Sequence, residues 1–200
     1  MIDSIMDTFD KNFGRLNNLL SIFYSIRNSK GRSSVQSLDL LRSTVVLTHS
    51  TLEDYLRSLL YWKLPLTINV EKLNKISFYD LGSRSTKAAL GDLLIHKDKT
   101  IDELIKLSIE DHLSMQSFNE SKDVVNALIS VNIPITHDIE LCLPDLDEMT
   151  KRRHNIVHRA DKGIKTGSGN FKYEHIGSKQ VIKWMANVDS FVNEVNKNFR

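Results

Sequence analysis

Residues 34–62 read SVQSLDLLRSTVVLTHSTLEDYLRSLLYW, and this stretch decides the fold class. Its apolar residues recur at spacings that keep them on one face of an α-helix. That stripe consists of Leu38, Leu41, Val45, Leu52, Leu56 and Leu59. The pattern therefore predicts one long helix from about Ser34 to Trp62.

Long helices are also predicted near both ends of the chain. The first should end near Gly31 and pair antiparallel with the helix over 34–62, because only a short loop separates them. Its apolar stripe consists of Met6, Phe9, Phe13, Leu16, Leu20 and Phe23. The last helix should be capped by Ser178. Its stripe consists of Val181, Trp184, Met185, Val188, Phe191, Val192, Val195 and Phe199.

The middle of the chain carries weaker signals. Residues 63–85 predict an irregular connector. Short helical pieces are expected over 88–94 and 124–129. Between them, Thr100 and Glu103 form a capping box that opens another helix.

A further helix is expected to carry Pro144 in its first turn and to reach Ala160. Residues 161–177 contain four of the eight glycines and predict a loop or an irregular hairpin. The predicted architecture is an all-α bundle that forms a single domain over residues 1–200.

Composition excludes several classes of protein. The 200 residues are 40% hydrophobic, which suits one domain with a core, and the single cysteine (Cys142) excludes an internal disulfide. The net charge of +2 is too small to attract nucleic acid in bulk, so any nucleic-acid site must be local. The N-terminal residues do not resemble a signal peptide, and no run approaches the ~18 apolar residues of a membrane span. The expected location is the cytoplasm.

The densest polar cluster is KRRHNIVHR at residues 151–159. On a helical wheel Arg153 falls within the apolar arc, where an arginine is costly unless it is paired or binds an anion. His158 follows five residues later, about 140° around the helix, so the two residues do not share one face. Either the helix end is distorted or the site is shared between two chains.

These residue types suit the chemistry of an RNA phosphodiester. A guanidinium stays charged and stabilises a phosphate, and an imidazole that titrates near neutrality moves protons. No metal is needed, because the RNA 2′-hydroxyl is an internal nucleophile. A generic basic cluster is better explained as a cationic helix end that interacts with its own dipole and with acids elsewhere, and the inward Arg153 is the feature that favours a functional site. His154 and His158 have the spacing of two metal ligands, but no third ligand is evident, so no metal and no cofactor are predicted.

The string Arg153-His154-x3-His158 resembles the Arg-x4-His motif of the HEPN superfamily of helical ribonuclease and nucleotide-binding domains. Residues 149–161, 40–42 (LLR) and 48–57 (THSTLEDYLR) look like its RiboL-PSP subgroup. His154 departs from the asparagine more common at its position. The resemblance implies a HEPN-type bundle with two long antiparallel N-terminal helices, an irregular middle and a long C-terminal helix.

The resemblance also implies a function. HEPN ribonucleases act as homodimers without a metal and generally leave a 2′,3′-cyclic phosphate, and many are toxins or antiviral defence effectors. Arg153 and His158 of both chains would then be the catalytic residues, RNA the substrate, and an antitoxin or defence protein a further partner. The alternative is a non-catalytic HEPN module that dimerises and binds RNA, nucleotide or a partner.

Three polar residues of the helix over 34–62 are predicted to support this site. Glu53 should pair an active-site cation, with His49 and Arg42 beside it. An alternative of equal weight is a buried hydrogen-bonded network that fixes the register of the helices.

Five residues around the motif are expected to contact the substrate. His154 or Asn155 should orient it. Arg152, Arg159 and Lys162 should bind the RNA backbone.

Overall fold

The computed structural model describes residues 1–27, 33–67, 70–79, 90–163 and 173–199, and the all-α prediction is confirmed. Within these ranges the only strand-like pairing is one antiparallel bridge, between Lys162 and Tyr173. The α-helices, numbered in chain order, are α1 (Ile2–Ile26), α2 (Val35–Lys63), α3 (Val70–Leu73), α4 (Ile101–Met115), α5 (Ser121–Ser130), α6 (His137–Arg159) and α7 (Ser178–Asn196). Short 3₁₀ helices cover Leu64–Leu66, Leu90–His96 and Lys197–Phe199. No helix in these described ranges is long and apolar enough to cross a membrane.

Helix α2 is the centre of the bundle and contacts α1, α4, α5, α6 and α7. It begins where predicted, because the Ser34 hydroxyl accepts a hydrogen bond from the backbone N–H of Ser37 at 3.1 Å. The predicted stripe is buried, with Leu38 partly so, and Leu56 and Leu59 have no exposed surface. Burying a leucine side chain contributes about 2 kcal/mol, so this stripe is a main source of stability.

Helices α1 and α2 run antiparallel, as predicted. Phe9, early in α1, packs edge-on against Tyr55, late in α2, with ring centroids 5.9 Å apart. One turn further along α1, Asn12 donates to the carboxylate of Asp54 at 3.4 Å. Helix α1 ends at Ile26. The predicted end near Gly31 lies outside the described residues.

Helix α6 begins earlier than predicted. Thr136 caps it by accepting a hydrogen bond from the backbone N–H of Ile139 at 3.3 Å. Pro144 therefore lies inside the helix rather than in its first turn, and that prediction was wrong. A proline there has no N–H to donate to the carbonyl of Glu140, so one helical hydrogen bond is missing.

Helix α7 begins one residue away from its predicted cap. Ser178 is the first helical residue, and the N-cap is Gly177, whose carbonyl accepts the first helical hydrogen bond from Val181 at 3.2 Å. The prediction that Ser178 caps the helix was therefore wrong. The predicted apolar stripe is confirmed as buried, and Phe199 beyond it packs partly buried against Trp62.

The middle of the chain is irregular, as expected. The capping box of α4 is present: Thr100 accepts from the N–H of Glu103 at 3.2 Å, and Glu103 accepts from the N–H of Thr100 at 2.7 Å. Of the expected piece over 88–94, Ala88 lies outside the described residues and Leu90 starts a 3₁₀ helix rather than an α-helix. Helix α5 covers the third expected piece.

The packing of α6 against α2 and α7 brings its C-terminal turns to one end of the bundle. Helix α1 ends there, and α2 and α7 begin there. The polar cluster of residues 151–159 is therefore surrounded by helix ends from widely separated parts of the chain.

Candidate functional site

The last turns of α6 divide their polar residues between two sides. Arg153 lies close enough to His49 of α2 for its charge to act on that imidazole. The guanidinium Nε of Arg153 is buried and has no hydrogen-bond partner among the described residues. His154 and Asn155, by contrast, line an open groove. The side of the helix that carries Arg153 is thus partly shielded from water, and the side that carries His154 and Asn155 is open to it.

His49 and Glu53 lie one helical turn apart on α2, near Arg153. His49 is fully buried, with Nδ1 3.9 Å from the Glu53 carboxylate. Glu53 is held in place by hydrogen bonds from the main-chain N–H of Phe118 at 3.3 Å and from Arg57 at 3.4 Å. The structure therefore brings two other predicted site residues, Glu53 and Arg153, close to His49.

Burial lowers the pKa of His49 below its ordinary value. The Glu53 carboxylate and the main chain at Phe118 act in the opposite direction, whereas the cations of Arg153 and Arg57 lower the pKa further. His49 is consequently neutral near pH 7. The negative charge of Glu53 pairs with Arg57 at 3.4 Å.

A second charge cluster surrounds Asp161, whose side chain is completely buried. One carboxylate oxygen accepts hydrogen bonds from Arg42 at 2.5 Å and from Arg152 at 2.8 Å. The Glu174 carboxylate, 34% exposed, pairs with Arg152 at 2.5 Å. A buried carboxylate is tolerated only when its charge is well paired, and here two guanidinium groups pair it.

Asp161 also determines where α6 ends. Ala160 and Asp161 both have left-handed backbone conformations, with φ of 50° and 58°. The N–H of Asp161 bonds back to the carbonyl of Asn155 at 3.1 Å, which closes the helix end. The carbonyl of Asp161 accepts from the N–H of Glu174 at 2.9 Å, so the end of the motif helix is joined to the segment that precedes α7.

This cluster holds two of the predicted site residues away from their predicted roles. Arg42 lies at Asp161 and is not brought together with His49 and Glu53. Both terminal nitrogens of Arg152 donate to Asp161 or Glu174, so its charge is neutralised within the protein.

The two motif histidines are exposed and adjacent. The rings of His154 and His158 lie with centroids 4.5 Å apart. Helix α6 remains helical through Arg159, so His158 keeps its separation of about 140° from Arg153. The sequence left two alternatives open, a distorted helix end and a site shared between two chains. The described helix excludes the first.

The remaining predicted contacts lie at the same end of α6. The Asn155 amide donates to the carboxylate of Asp161 at 3.5 Å and to the carbonyl of Lys162 at 3.4 Å. Asn155 is thus a structural partner of the helix end. Arg159 is exposed, and the N–H of Lys162 bonds to its carbonyl at 3.1 Å.

Sequence reasoning assigned no role to Asp161 or Glu174. Asp161 follows the motif helix like an ordinary solvent-exposed aspartate, and only its three-dimensional partners make it central. Tyr173 packs under Arg42, whose guanidinium carbon lies 5.5 Å from the ring centroid. Arg42 and Arg152 were the available signal for this acidic cluster, because partly buried cations need an acidic partner.

The groove beside α6 has a volume of about 1900 Å³. It lies between the end of α1, the start of α2, the end of α6 and the start of α7. His154 and Arg159 line it, and Trp184 forms part of its floor at 5% exposure. Among the described residues no group of three or more His, Cys, Asp or Glu side chains is arranged to hold a metal ion.

Residues 10–199 match the family model described as RiboL-PSP-HEPN. The chain belongs to this HEPN family. No curated protein and no solved structure matches the chain. HEPN modules are often ribonucleases or RNA-binding domains, and they often dimerise. The match includes α2 and α6, the two helices that carry the HEPN-like segments.

Replacing Asp161 with asparagine should destabilise this HEPN domain strongly. Asparagine tolerates the left-handed backbone, so the Asp161→Asn change removes mainly the charge and leaves Arg42 and Arg152 without a buried carboxylate. We expect a loss of about 3–5 kcal/mol in the free energy of unfolding, measured by urea denaturation and circular dichroism. The matched control, Glu174→Gln at a more exposed pair, should lose less than about 1 kcal/mol. Equal losses would contradict the central role of Asp161.

The buried neutral His49 should make the domain sensitive to acid. Its pKa is lowered on folding, so its contribution to stability is complete above its ordinary pKa of about 6.5 and is lost as the pH falls below that value. We expect the free energy of unfolding to fall less steeply from about pH 7 to about pH 5 in His49→Leu than in the parent. An exposed-site control, His137→Leu, should retain the parental slope. Identical slopes for His49→Leu and the parent would show that His49 is not buried in its neutral form.

Proposed function

We propose that this HEPN protein is a metal-independent endoribonuclease whose site is completed by two copies of the chain. The observation that carries the proposal is the state of Arg153. Its guanidinium is partly buried, its Nε has no hydrogen-bond partner within the described ranges, and it precedes an exposed histidine by five residues on a regular helix. A cation held in this way is well placed to bind an anion at its open side, and a planar guanidinium matches a phosphate.

Arg153 binds a non-bridging oxygen of the scissile phosphate and stabilises the charge that grows on it. The protonated imidazole of His158 donates a proton to the 5′ oxygen as it leaves, and water takes up the proton of the 2′-hydroxyl. The 2′ oxygen forms its bond to phosphorus while the bond from phosphorus to the 5′ oxygen breaks. The products are a 2′,3′-cyclic phosphate and a free 5′-hydroxyl.

Two copies of the chain reconcile this chemistry with the helix. Arg153 and His158 point about 140° apart on one α6, so one chain does not present both to one phosphate. Two motif helices that meet around a two-fold axis would place Arg153 of one copy opposite His158 of the other. Val157, an apolar residue that is 48% exposed between the two, suits such a contact.

Other residues act through these groups. Glu53 orients Arg153 and balances its charge, while the neutral His49 fills the space beside both. His154 orients the substrate from its position next to His158. In the same proposal the protein acts as a toxin or antiviral effector in the cytoplasm, held in check by an antitoxin or another defence protein.

The direct test is cleavage of RNA in the presence of EDTA. The parent should cut tRNA or mRNA to fragments that end in 2′,3′-cyclic phosphate. Arg153→Ala and His158→Ala should each lower the rate by about 10²–10⁴-fold, because each removes a group that acts in the transition state. Mass spectrometry of the new 3′ ends identifies the product.

Matched controls separate this loss from general damage. Arg15→Ala and His137→Ala remove the same residue types from exposed positions outside the site and should cut at the parental rate. Circular dichroism should show the same helical content in all variants. Parental cleavage by either Arg153→Ala or His158→Ala would refute the site. A parent that binds RNA without cutting it would favour the non-catalytic HEPN module.

The shared site is tested by mixing two inactive variants. If Arg153 and His158 of different copies act together, a mixture of Arg153→Ala and His158→Ala should regain activity, since about half of the re-formed dimers are mixed. Neither chain of a mixed dimer has both residues, so a site within one chain would regain nothing. Light scattering should give twice the chain mass for the parent.

A further inference from the structure

The groove beside α6 has an unbalanced charge that the cleavage chemistry does not use. Six cationic residues line it, and the two acidic residues that do so are Glu148 and Glu174. The cations are Arg27, Arg42, Lys151, Arg152, Arg159 and Lys179. What matters for binding is which of these charges remain available to a ligand.

Two of the cations are already neutralised. Arg42 and Arg152 are each only 12% exposed at the side chain and pair with the buried Asp161. Arg42 also pairs with Asp39 at 3.1 Å, and Arg152 with Glu174. These two arginines form the wall of the groove and hold its shape.

The other four cations are available. Arg27, Lys151, Arg159 and Lys179 are exposed, and no ion pair joins any of them to the described residues. The Arg27 guanidinium lies over the ring of Phe23, 5.9 Å from its centroid.

The two acidic residues of the groove offset only part of these four charges. The Glu148 carboxylate accepts hydrogen bonds from Trp184 at 3.1 Å and from Gln180 at 2.9 Å. Glu174 is bound to Arg152. An incoming ligand therefore meets four cations that no described residue pairs and one carboxylate that keeps its charge, an excess of positive charge that favours a polyanion.

The size and shape of the groove favour a polymer. Sites for small molecules typically measure about 300–1,000 Å³, and the groove, at about 1900 Å³, is larger. Tyr173 is 60% exposed on its wall and offers a ring on which a base can stack. His154 joins the groove to the catalytic motif, because it lines the groove and its ring lies 4.5 Å from that of His158.

From these observations we propose that the groove binds the single-stranded RNA that flanks the scissile phosphate. Lys151, Lys179, Arg27 and Arg159 contact its backbone, and Tyr173 stacks on a base. That the bound RNA segment is the one next to the scissile phosphate rests on the proposed nuclease function, because that function places the cleavage point at His158. Binding in the groove itself does not depend on cleavage.

The test uses the full chain and an RNA that cannot be cut. The probe is a fluorescently labelled single strand of about 12 nucleotides, with 2′-O-methyl groups in place of every nucleophile. Its affinity is measured by fluorescence anisotropy in EDTA from about 50 to about 200 mM KCl. The parent is compared with the double variant Lys151→Gln/Lys179→Gln. A matched control, Lys75→Gln/Lys106→Gln, removes two exposed lysines that do not line the groove.

Each lost phosphate contact should flatten the plot of log affinity against log salt by about 0.7, so the groove variant should flatten it by about 1.4. The control variant should keep the parental slope. Equal slopes for the groove variant and the parent would overturn the proposal, even if the parent cuts RNA. Lysine-dependent binding with no cleavage of ordinary RNA would instead support the groove and refute the nuclease.

A free nucleotide carries the same phosphate chemistry as RNA, and a competition experiment distinguishes between these two ligands. AMP should displace the probe only at concentrations far above those of unlabelled oligonucleotide. If AMP binds as tightly as the oligonucleotide, with the same dependence on Lys151 and Lys179, the groove is a mononucleotide pocket and the proposal falls.

Discussion

The buried carboxylate of Asp161 is the interaction on which this end of the protein depends. It pairs with Arg42 from α2 and Arg152 from α6, and its backbone both ends α6 and bonds to the chain before α7. Three elements are thereby fixed to one residue. Because a buried, unpaired charge is very costly, the arrangement has little freedom to loosen by degrees. The positions of His154, His158 and Arg159 follow from it, since all three lie within the last turns that this contact holds.

Because of that constraint, the end of α6 has two sides in different environments. On one side Arg153 lies near the neutral His49 and the carboxylate of Glu53, where few water molecules reach and electrostatic interactions are strong. On the other side the exposed cations face a wide groove, where interactions with a ligand are weaker individually and depend on salt. The proposed binding of a long RNA strand in the groove and of one phosphate at Arg153 makes use of both surfaces.

Local sequence signals predicted much of the fold. The boundaries of α2 follow from Ser34 and an unbroken apolar stripe, and the capping box at Thr100 involves neighbours only three residues apart. The errors at Pro144 and Ser178 arose where an equally good local signal lay nearby: Thr136 caps α6 earlier, and the Gly177 carbonyl starts α7. The inward position of Arg153 was also visible from periodicity. The charge network was not, because residues 42, 152, 161 and 174 are far apart in sequence. The sequence alone does not show that Arg42 and Arg152 share Asp161 as their partner.

The order in which the chain is synthesised determines when this charge network can form. Arg42 emerges from the ribosome early and the motif helix much later, but the bonds to Glu174 cannot form until the chain has been synthesised beyond that residue. The helix end that carries the two histidines is therefore secured only when most of the protein exists.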